Sequence, residues 1–266
     1  MLAAARRQLL LDRLARDGRI VAKDLAAELG MSEDTIRRDL RELDAEGLAV
    51  RVYGGALPAS PAVVDYAART RVAPDSKSSV ATVAASLIEP GMTVILDGGT
   101  TALATVAALP RDLDCTLITH SVTVAAALLE HRASVLIIGG GLFKHSAVAC
   151  GAAAVEAAMG VSGDLFLLGV TGVHAEAGLT TGDADEAAMK RTLASRCADT
   201  YVMASEEKIG AASRFAVLGL DQVTGVITDA DPDSRAMREL RQAGVELVPA
   251  GPRADLRAVE GRRSGA

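Results

Sequence analysis

The sequence predicts an α/β protein of two domains. A winged helix-turn-helix spans residues 1–57 and a layered sheet-and-helix domain spans 75–249, with a linker at 58–74 and a disordered tail at 250–266. Three observations predict it. Apolar residues before position 50 recur at helical spacing and are interrupted by Gly30-Met31-Ser32, a turn between two helices. Gly54-Gly55 then turns a short β-prone segment back on itself. Beyond residue 75, short β-prone runs alternate with helical patterns, as parallel strands joined by right-handed crossover helices do.

In the first domain, Leu9, Leu10 and Leu14 line one face of a helix over 4–15, stopped near Asp17-Gly18. A short extended piece at 19–22 leads to a second helix over 23–29, where Leu25, Ala26 and Leu29 share a face and Gly30 supplies the stop. Ser32 caps a third helix that runs to about residue 46. There Ile36, Leu40 and Leu43 form the buried stripe, while Arg37, Arg38 and Arg41 lie off it. The segment 48–52 and the two glycines form the wing.

The linker is read from Pro58, Ser60, Pro61 and Pro74 and from the lack of a periodic apolar face between them. After it, strands are predicted at 93–96, 116–119, 134–138, 165–170, 200–204, 225–228 and 245–248. Helices are predicted between them at 77–87, 101–109, 122–130, 152–159, 185–197 and 234–243.

Composition narrows the function classes. The formal charge is −6, yet residues 1–60 hold ten Lys or Arg against ten Asp or Glu, so the whole excess lies in the second domain. A nucleic-acid surface must come from local arrangement rather than a basic domain. With three Phe, three Tyr and no Trp, base-stacking platforms are not expected. Cys115, Cys150 and Cys197 are odd in number and show no paired spacing, which reads as free thiols in a reducing cytosol. No apolar run approaches a membrane span, and charges interrupt the start, so a cytoplasmic, soluble chain is expected. His120, His131, His145 and His174 lack metal-ligand spacing, and neither metal nor cofactor is expected.

Two sites stand out from the residues. Turn, cap, buried stripe and basic face share one register in the third helix, which points to DNA contact by Arg37 and Arg38. Ser32, Thr35, Arg51 and Tyr53 are expected to support them. In the second domain Asp97-Gly98-Gly99-Thr100-Thr101 follows a strand and opens a helix, so amides, hydroxyls and the helix dipole can converge on an anion. Gly139-Gly140-Gly141 also ends a strand and either lines the same crevice or permits a tight turn. Gly178-Leu179-Thr180-Thr181 precedes a helix carrying Glu186 and Lys190 four apart, a spacing that an ordinary surface ion pair also explains.

The string Ser32-Glu33-Asp34-Thr35-Ile36-Arg37-Arg38-Asp39-Leu40, followed by Gly54-Gly55-Ala56, resembles the DNA-binding signature of the DeoR family of sugar-metabolism regulators. Tyr53 stands where that family usually has His. Lys77, the loop from Asp97 to Thr101, Gly139-Gly140, Gly178 to Thr181, Glu186, Lys190, Lys208 and Thr228-Asp229 appear in the order of the family's sensor domain, so the similarity spans about residues 4–249. The resemblance implies a Rossmann-like sensor fold similar to ribose-5-phosphate isomerase that binds sugar phosphates or related metabolites. Two departures fall near the expected pocket. Ser205-Glu206-Glu207-Lys208 replaces the usual Asp-x-Ser-Lys, and His120 replaces an Asn.

The expected function is therefore a repressor of a sugar or polyol catabolic operon that grips operator DNA as a homo-oligomer and releases it on binding a phosphorylated effector. Lys190 and Lys208, with Lys77, are expected to meet the phosphate, and Asp97 and Glu186 to accept from sugar hydroxyls. The rival is an isomerase-like enzyme with an accessory DNA-binding domain, since fold does not fix function. No residue distinguishes repressor from activator.

Overall fold

The computed structural model describes residues 2–62 and 66–251; most of the expected tail, 252–266, lies outside the described residues. Helix α1 (Ala3–Asp17) ends at Gly18, and strand β1 (Ile20–Val21) leads into α2 (Ala22–Leu29) and α3 (Glu33–Ala45). Strands β2 (Ala49–Val52) and β3 (Gly55–Pro58) form the wing, and β1 pairs with β3 to give a three-stranded sheet. Leu10, Leu14, Ile36, Leu40, Leu43 and Ala56 make one buried core; Leu9, expected on the same face of α1, is only half-buried and lies outside it, and Leu11 packs there instead. Asp39, on α3, is buried against Arg6 of α1, whose Nη2 donates to Oδ1 at 2.9 Å. Gly55 is required because a Cβ there would fall 1.7 Å from the carbonyl oxygen of Ile20.

The expected linker is more ordered than its prolines imply. It contains a single turn of helix, α4 (Tyr66–Arg69), and Pro74 is not linker but the first residue of α5 (Pro74–Ser86), where its missing N–H costs nothing.

From there the chain alternates as expected. The elements are β4 (Thr93–Leu96), α6 (Thr100–Ala108), β5 (Thr116–Thr119), α7 (Val122–Ala127) and β6 (Ser134–Ile137). A hairpin of β7 (Gly141–Phe143) and β8 (Val148–Cys150) precedes α8 (Ala152–Met159) and β9 (Gly163–Gly169). Next come β10 (Gly172–His174), β11 (Gly178–Thr181), α9 (Ala184–Ala194), β12 (Cys197–Met203) and β13 (Phe215–Leu218). The described chain closes with β14 (Gly225–Thr228), α10 (Arg235–Gln242) and β15 (Leu247–Pro249).

All seven expected strands enter one parallel sheet in the order β15-β14-β12-β9-β4-β5-β6. Alternating side chains feed two cores. Ile95, Phe166, Leu168 and Val202 pack with α8, α9 and α10 on one face, and Val94, Leu96, Leu165 and Leu167 pack with α5, α6 and α7 on the other. Strand order reverses between β4 and β9, so the loops after these two strands diverge to opposite faces and leave a crevice at their C-terminal ends. Strands β10, β11 and β13 form a separate antiparallel sheet that the sequence reading did not anticipate. Among the described residues no helix is long and apolar enough to cross a membrane.

Candidate functional sites

The first site is the outer face of α3 with the wing. Ser32 holds the helix start: its Oγ accepts from the Thr35 amide at 3.2 Å and shares a hydrogen bond with Thr35 Oγ1 at 2.8 Å. Ile36 and Leu40 anchor the helix inward, which leaves Arg37 and Arg38 exposed on the opposite side. Arg37 is paired with Glu33 one turn earlier at 2.6 Å. That pair is exposed at both ends, so it holds the guanidinium in place at little energetic gain and opens readily for a competing anion. Arg51 and the fully exposed Tyr53 lie on the wing, where a groove lined by Arg37, Arg51 and Tyr53 separates wing from helix. Arg7, Arg13 and Arg16, away from that face, are paired with Glu46, Glu28 and Asp17.

The second site occupies the crevice between β4 and β9. Gly98, Gly99, Thr100 and Thr101 form one wall, with α6 starting at Thr100. Gly99 has φ +108, open to glycine alone, and a Cβ at Gly98 would strike Val148 at 2.1 Å. Gly169, Val170 and Thr171 after β9 form the facing wall, closed by Thr181 of β11 and by Glu186 and Lys190 of α9. Lys77 and Lys208 complete the rim, so Lys77, Gly98, Gly99, Thr100, Thr101, Glu186, Lys190 and Lys208 converge as expected. Glu186 Oε2 accepts from Thr181 Oγ1 at 3.2 Å.

Asp97 is placed differently from expectation. It lies beneath the cavity, wholly buried, and its carboxylate accepts from four protein donors: His120 at 2.8 Å, Lys190 at 2.5 Å, and the amides of Gly98 at 2.7 Å and Gly169 at 2.8 Å. No acceptor position is left for a sugar hydroxyl, so the expected role is corrected to that of an anchor. Burial pushes the Asp97 carboxyl up, but the charge of Lys190 and the hydrogen bond from His120 outweigh it and hold the carboxyl below the usual range. His120, noted only as a departure, is thus a member of this network. Its other ring nitrogen meets the Ala149 carbonyl at 2.9 Å.

Gly139 and Gly140 are the second correction. They follow β6, two strands from the reversal point and so about 10 Å away, and they do not line the cavity. Ser146, from the turn of the β7–β8 hairpin, stands there instead.

Sequence reasoning also missed the connector. Ala62, Arg69 and Val72 line the cavity. Arg69 donates from Nη2 to the His145 carbonyl at 2.8 Å and Ser146 Oγ at 3.2 Å, while Lys77 Nζ donates to the carbonyls of Arg69, at 2.5 Å, and Val72. The signal for Arg69 is tertiary, with no local pattern to reveal it. The cavity between these walls holds about 40 Å³, room for a few waters.

Charge inside this cavity is unbalanced. Lys208 is buried with its Nζ 3.4 Å from Thr101 Oγ1. Burial, against the pull of Glu207 and aided by Lys77, Arg69 and Lys190, depresses its ammonium to about 8. Burial likewise lowers Lys77. Lys190 is raised, because Asp97 and Glu186 outweigh its burial. Clustered cations at a helix N-terminus, two of them held below their ordinary values, are the electrostatics of a site that gains by receiving an anion. No group of His, Cys, Asp and Glu suited to a metal occurs among the described residues.

Comparison with known proteins follows the same division. The DeoR-like helix-turn-helix domain matches residues 6–61, and the DeoR C terminal sensor domain matches residues 72–230. A protein of Escherichia coli O157:H7 named for repression of the aga operon is 33% identical over 254 residues, covering 92% of this chain and 93% of its own. The HTH-type transcriptional repressor GlcR of Bacillus subtilis (strain 168) is 30% identical over 242 residues, covering 90% and 93%. Ribose 5-phosphate isomerase A from Methanocaldococcus jannaschii aligns over 51% of this chain and 54% of its own at 17% identity, with a TM-score of 0.39. With α3 and the wing inside one matched region and Lys77, Lys190, Lys208 and the 98–101 loop of the cavity inside the other, the chain belongs to the DeoR family of transcriptional regulators.

Proposed function

We propose that this regulator represses a sugar or polyol catabolic operon, that a phosphorylated sugar or polyol in the cavity at the reversal point relieves the repression, and that the chain catalyses nothing. The observation that carries the reading is the convergence of Lys77, Lys190, Lys208 and Arg69 on the N-terminus of α6, in a domain that is otherwise acidic. A phosphate brings about −1.5 to −2 charge and three acceptor oxygens, which these cations, the first amides of α6 and the Thr100 and Thr101 hydroxyls can meet. Glu186 is the carboxylate on the wall and suits a sugar hydroxyl.

The test is a thermal-shift panel pairing each sugar phosphate with its unphosphorylated parent. Phosphates alone are expected to stabilise the protein, and the effect is expected to be lost in Thr100→Ala. Equal stabilisation by the parent sugars defeats the phosphate assignment. Turnover of ribose 5-phosphate or fructose 6-phosphate favours the enzyme reading instead.

On the DNA side, Arg38→Ala is expected to weaken operator binding by about 1 to 3 kcal/mol if the residue reads a base, with relaxed preference at one position, and Arg37→Ala similarly once its pair with Glu33 is broken. Gel shifts on operator and scrambled DNA read both effects. Wild-type affinity in both variants removes α3 from the interface.

The connector supplies a route from ligand to DNA. Ligand pockets usually span about 300–1,000 Å³, so a sugar phosphate enters this cavity only by displacing a wall, and the connector residues Ala62, Arg69 and Val72 form the wall outside the sheet. A phosphate draws Lys77 and Arg69 from the carbonyls and hydroxyl they now hold. The freed segment is continuous with the wing: past β3, the Ala212 amide donates to Pro58 O at 3.0 Å, the Ser60 amide to Ala212 O at 3.0 Å, and Ser60 Oγ to the carbonyl of Thr171 on the cavity wall. Ser60→Ala is expected to leave effector binding within about twofold but to reduce, several-fold, the change in operator affinity that effector produces. An undiminished response rules out this strap.

A further inference from the structure

The parallel sheet ends on one side at β15, where Pro249 blocks an outward donor, and on the other at β6, which carries no such block. Every residue of β6 is exposed, and three in succession are apolar: Val135 at 40%, Leu136 at 47% and Ile137 at 52%. Leu129, just before the strand, and Leu142, just after it, are exposed too. Ser134 and Ile138 donate their amides to Cys115 and Thr119 on the β5 side. By the two-residue alternation of a strand, the amides of Val135 and Ile137 therefore point away from the sheet, where no described strand lies. An uncharged, proline-free strand that is apolar on both faces and open along its main chain is a template for pairing with another strand.

We propose that β6 pairs antiparallel with β6 of a second copy of this chain, across a twofold axis at Leu136, joining two seven-stranded sheets into one. The register follows from the outward amides. Antiparallel partners exchange bonds between residues whose amides both point outward, so Val135 meets Ile137 of the second copy and Ile137 meets its Val135. Leu136 then faces its own copy in the closely spaced position between hydrogen-bonded pairs. The same register sets Arg132, the first charged residue before the strand, opposite Gly140, so no like charges and no bulky side chains collide at either end. A twofold contact of one strand with itself is closed and stops at two sheets. It also gives the molecule two recognition helices, a consequence independent of what the cavity binds.

Sedimentation equilibrium of the full chain tests the pairing. The wild type is expected to sediment as a dimer or a multiple of one, and Leu136→Lys, which brings two ammonium groups together across the axis, at half the wild-type mass. Leu136→Cys gives a second reading that tolerates failure of the lysine variant to fold. Facing α-carbons in the closely spaced position lie about 4.5 Å apart, within disulfide reach, whereas Val135 lies opposite Ile137 of the second copy and not its own counterpart. Mild oxidant is expected to cross-link Leu136→Cys to a covalent dimer and to leave Val135→Cys at the background of the native cysteines. A monomeric wild type, an unchanged mass for Leu136→Lys, or equal cross-linking of both cysteine variants overturns the proposal. A monomer that dimerises only after removal of residues 252–266 overturns it as well.

Discussion

Asp97→Asn is expected to destabilise the sensor domain by about 3 to 5 kcal/mol, the usual consequence of removing one member of a buried ion pair. At about 2 to 4 °C per kcal/mol for a domain of this size, its melting temperature falls by about 6 to 20 °C. The loss comes from the partners left behind. Lys190 is buried with its Nζ 2.5 Å from Asp97, and the amides of Gly98 and Gly169 converge on the same carboxylate, so an Asn amide group turned toward any of them sets donor against donor. The pH dependence has a definite sign. Because the folded carboxyl lies below its unfolded value, its stabilisation is fully present above about pH 4 and is lost as pH falls through the folded value. The gap in melting temperature between wild type and Asp97→Asn is therefore constant near neutrality and narrows in acid. A double variant, Asp97→Asn with Lys190→Met, is expected to recover part of the loss, since the orphaned ammonium goes with it. Melting within 1 °C of wild type for Asp97→Asn shows that the network holds nothing.

The elements that sequence patterns revealed are those whose residues satisfy one local period. Ile36, Leu40 and Leu43 are all buried where helical spacing put them, and the strands at Thr93–Leu96, Thr116–Thr119 and Gly225–Thr228 match expectation residue for residue. Gly178–Thr181, noted only as preceding a helix and absent from the expected strands, is strand β11, fully buried between β10 and β13. Its small and hydroxylated residues lack the apolar signal that marks a strand, and its pairing partners supply what the residues do not. The cavity was legible where backbone chemistry announces it, at Gly98 to Thr101. It was illegible where the site is assembled from distant segments. Nothing between Asp97, His120 and Lys190 in sequence discloses that they share one buried carboxylate. Nothing around Arg69 discloses that a segment bounded by prolines doubles as the wall of the cavity.

Lys208→Met is expected to separate stability from response, raising the melting temperature slightly while moving effector-driven release from DNA to about 10- to 150-fold higher effector concentration. Lys208 is a buried ammonium whose neighbours Lys77, Arg69 and Lys190 repel it, against the pull of Glu207. A group whose folded value, about 8, lies below its unfolded value of about 10.4 opposes folding most below pH 8, where both states hold the proton, and its penalty fades as pH rises toward the unfolded value. A methionine of similar length removes that penalty at neutral pH and keeps the packing. The effector sees the opposite. Its phosphate requires the charged form, and losing a charge-assisted hydrogen bond of about 1.5 to 3 kcal/mol weakens binding by about 10- to 150-fold. In the wild type the same requirement has affinity fall by up to about tenfold per unit above about pH 8, with a proton taken up on binding there, while below about pH 7 protonation of the phosphate itself, whose second pKa is about 6, also weakens binding. In Lys208→Met the steep part of that profile disappears. Calorimetry in buffers of different ionisation heat, with inorganic phosphate or a sugar phosphate as the probe, reads the proton uptake directly. A variant that binds the probe as tightly as wild type, or one that melts well below it, refutes the placement of Lys208 as the phosphate's buried cation.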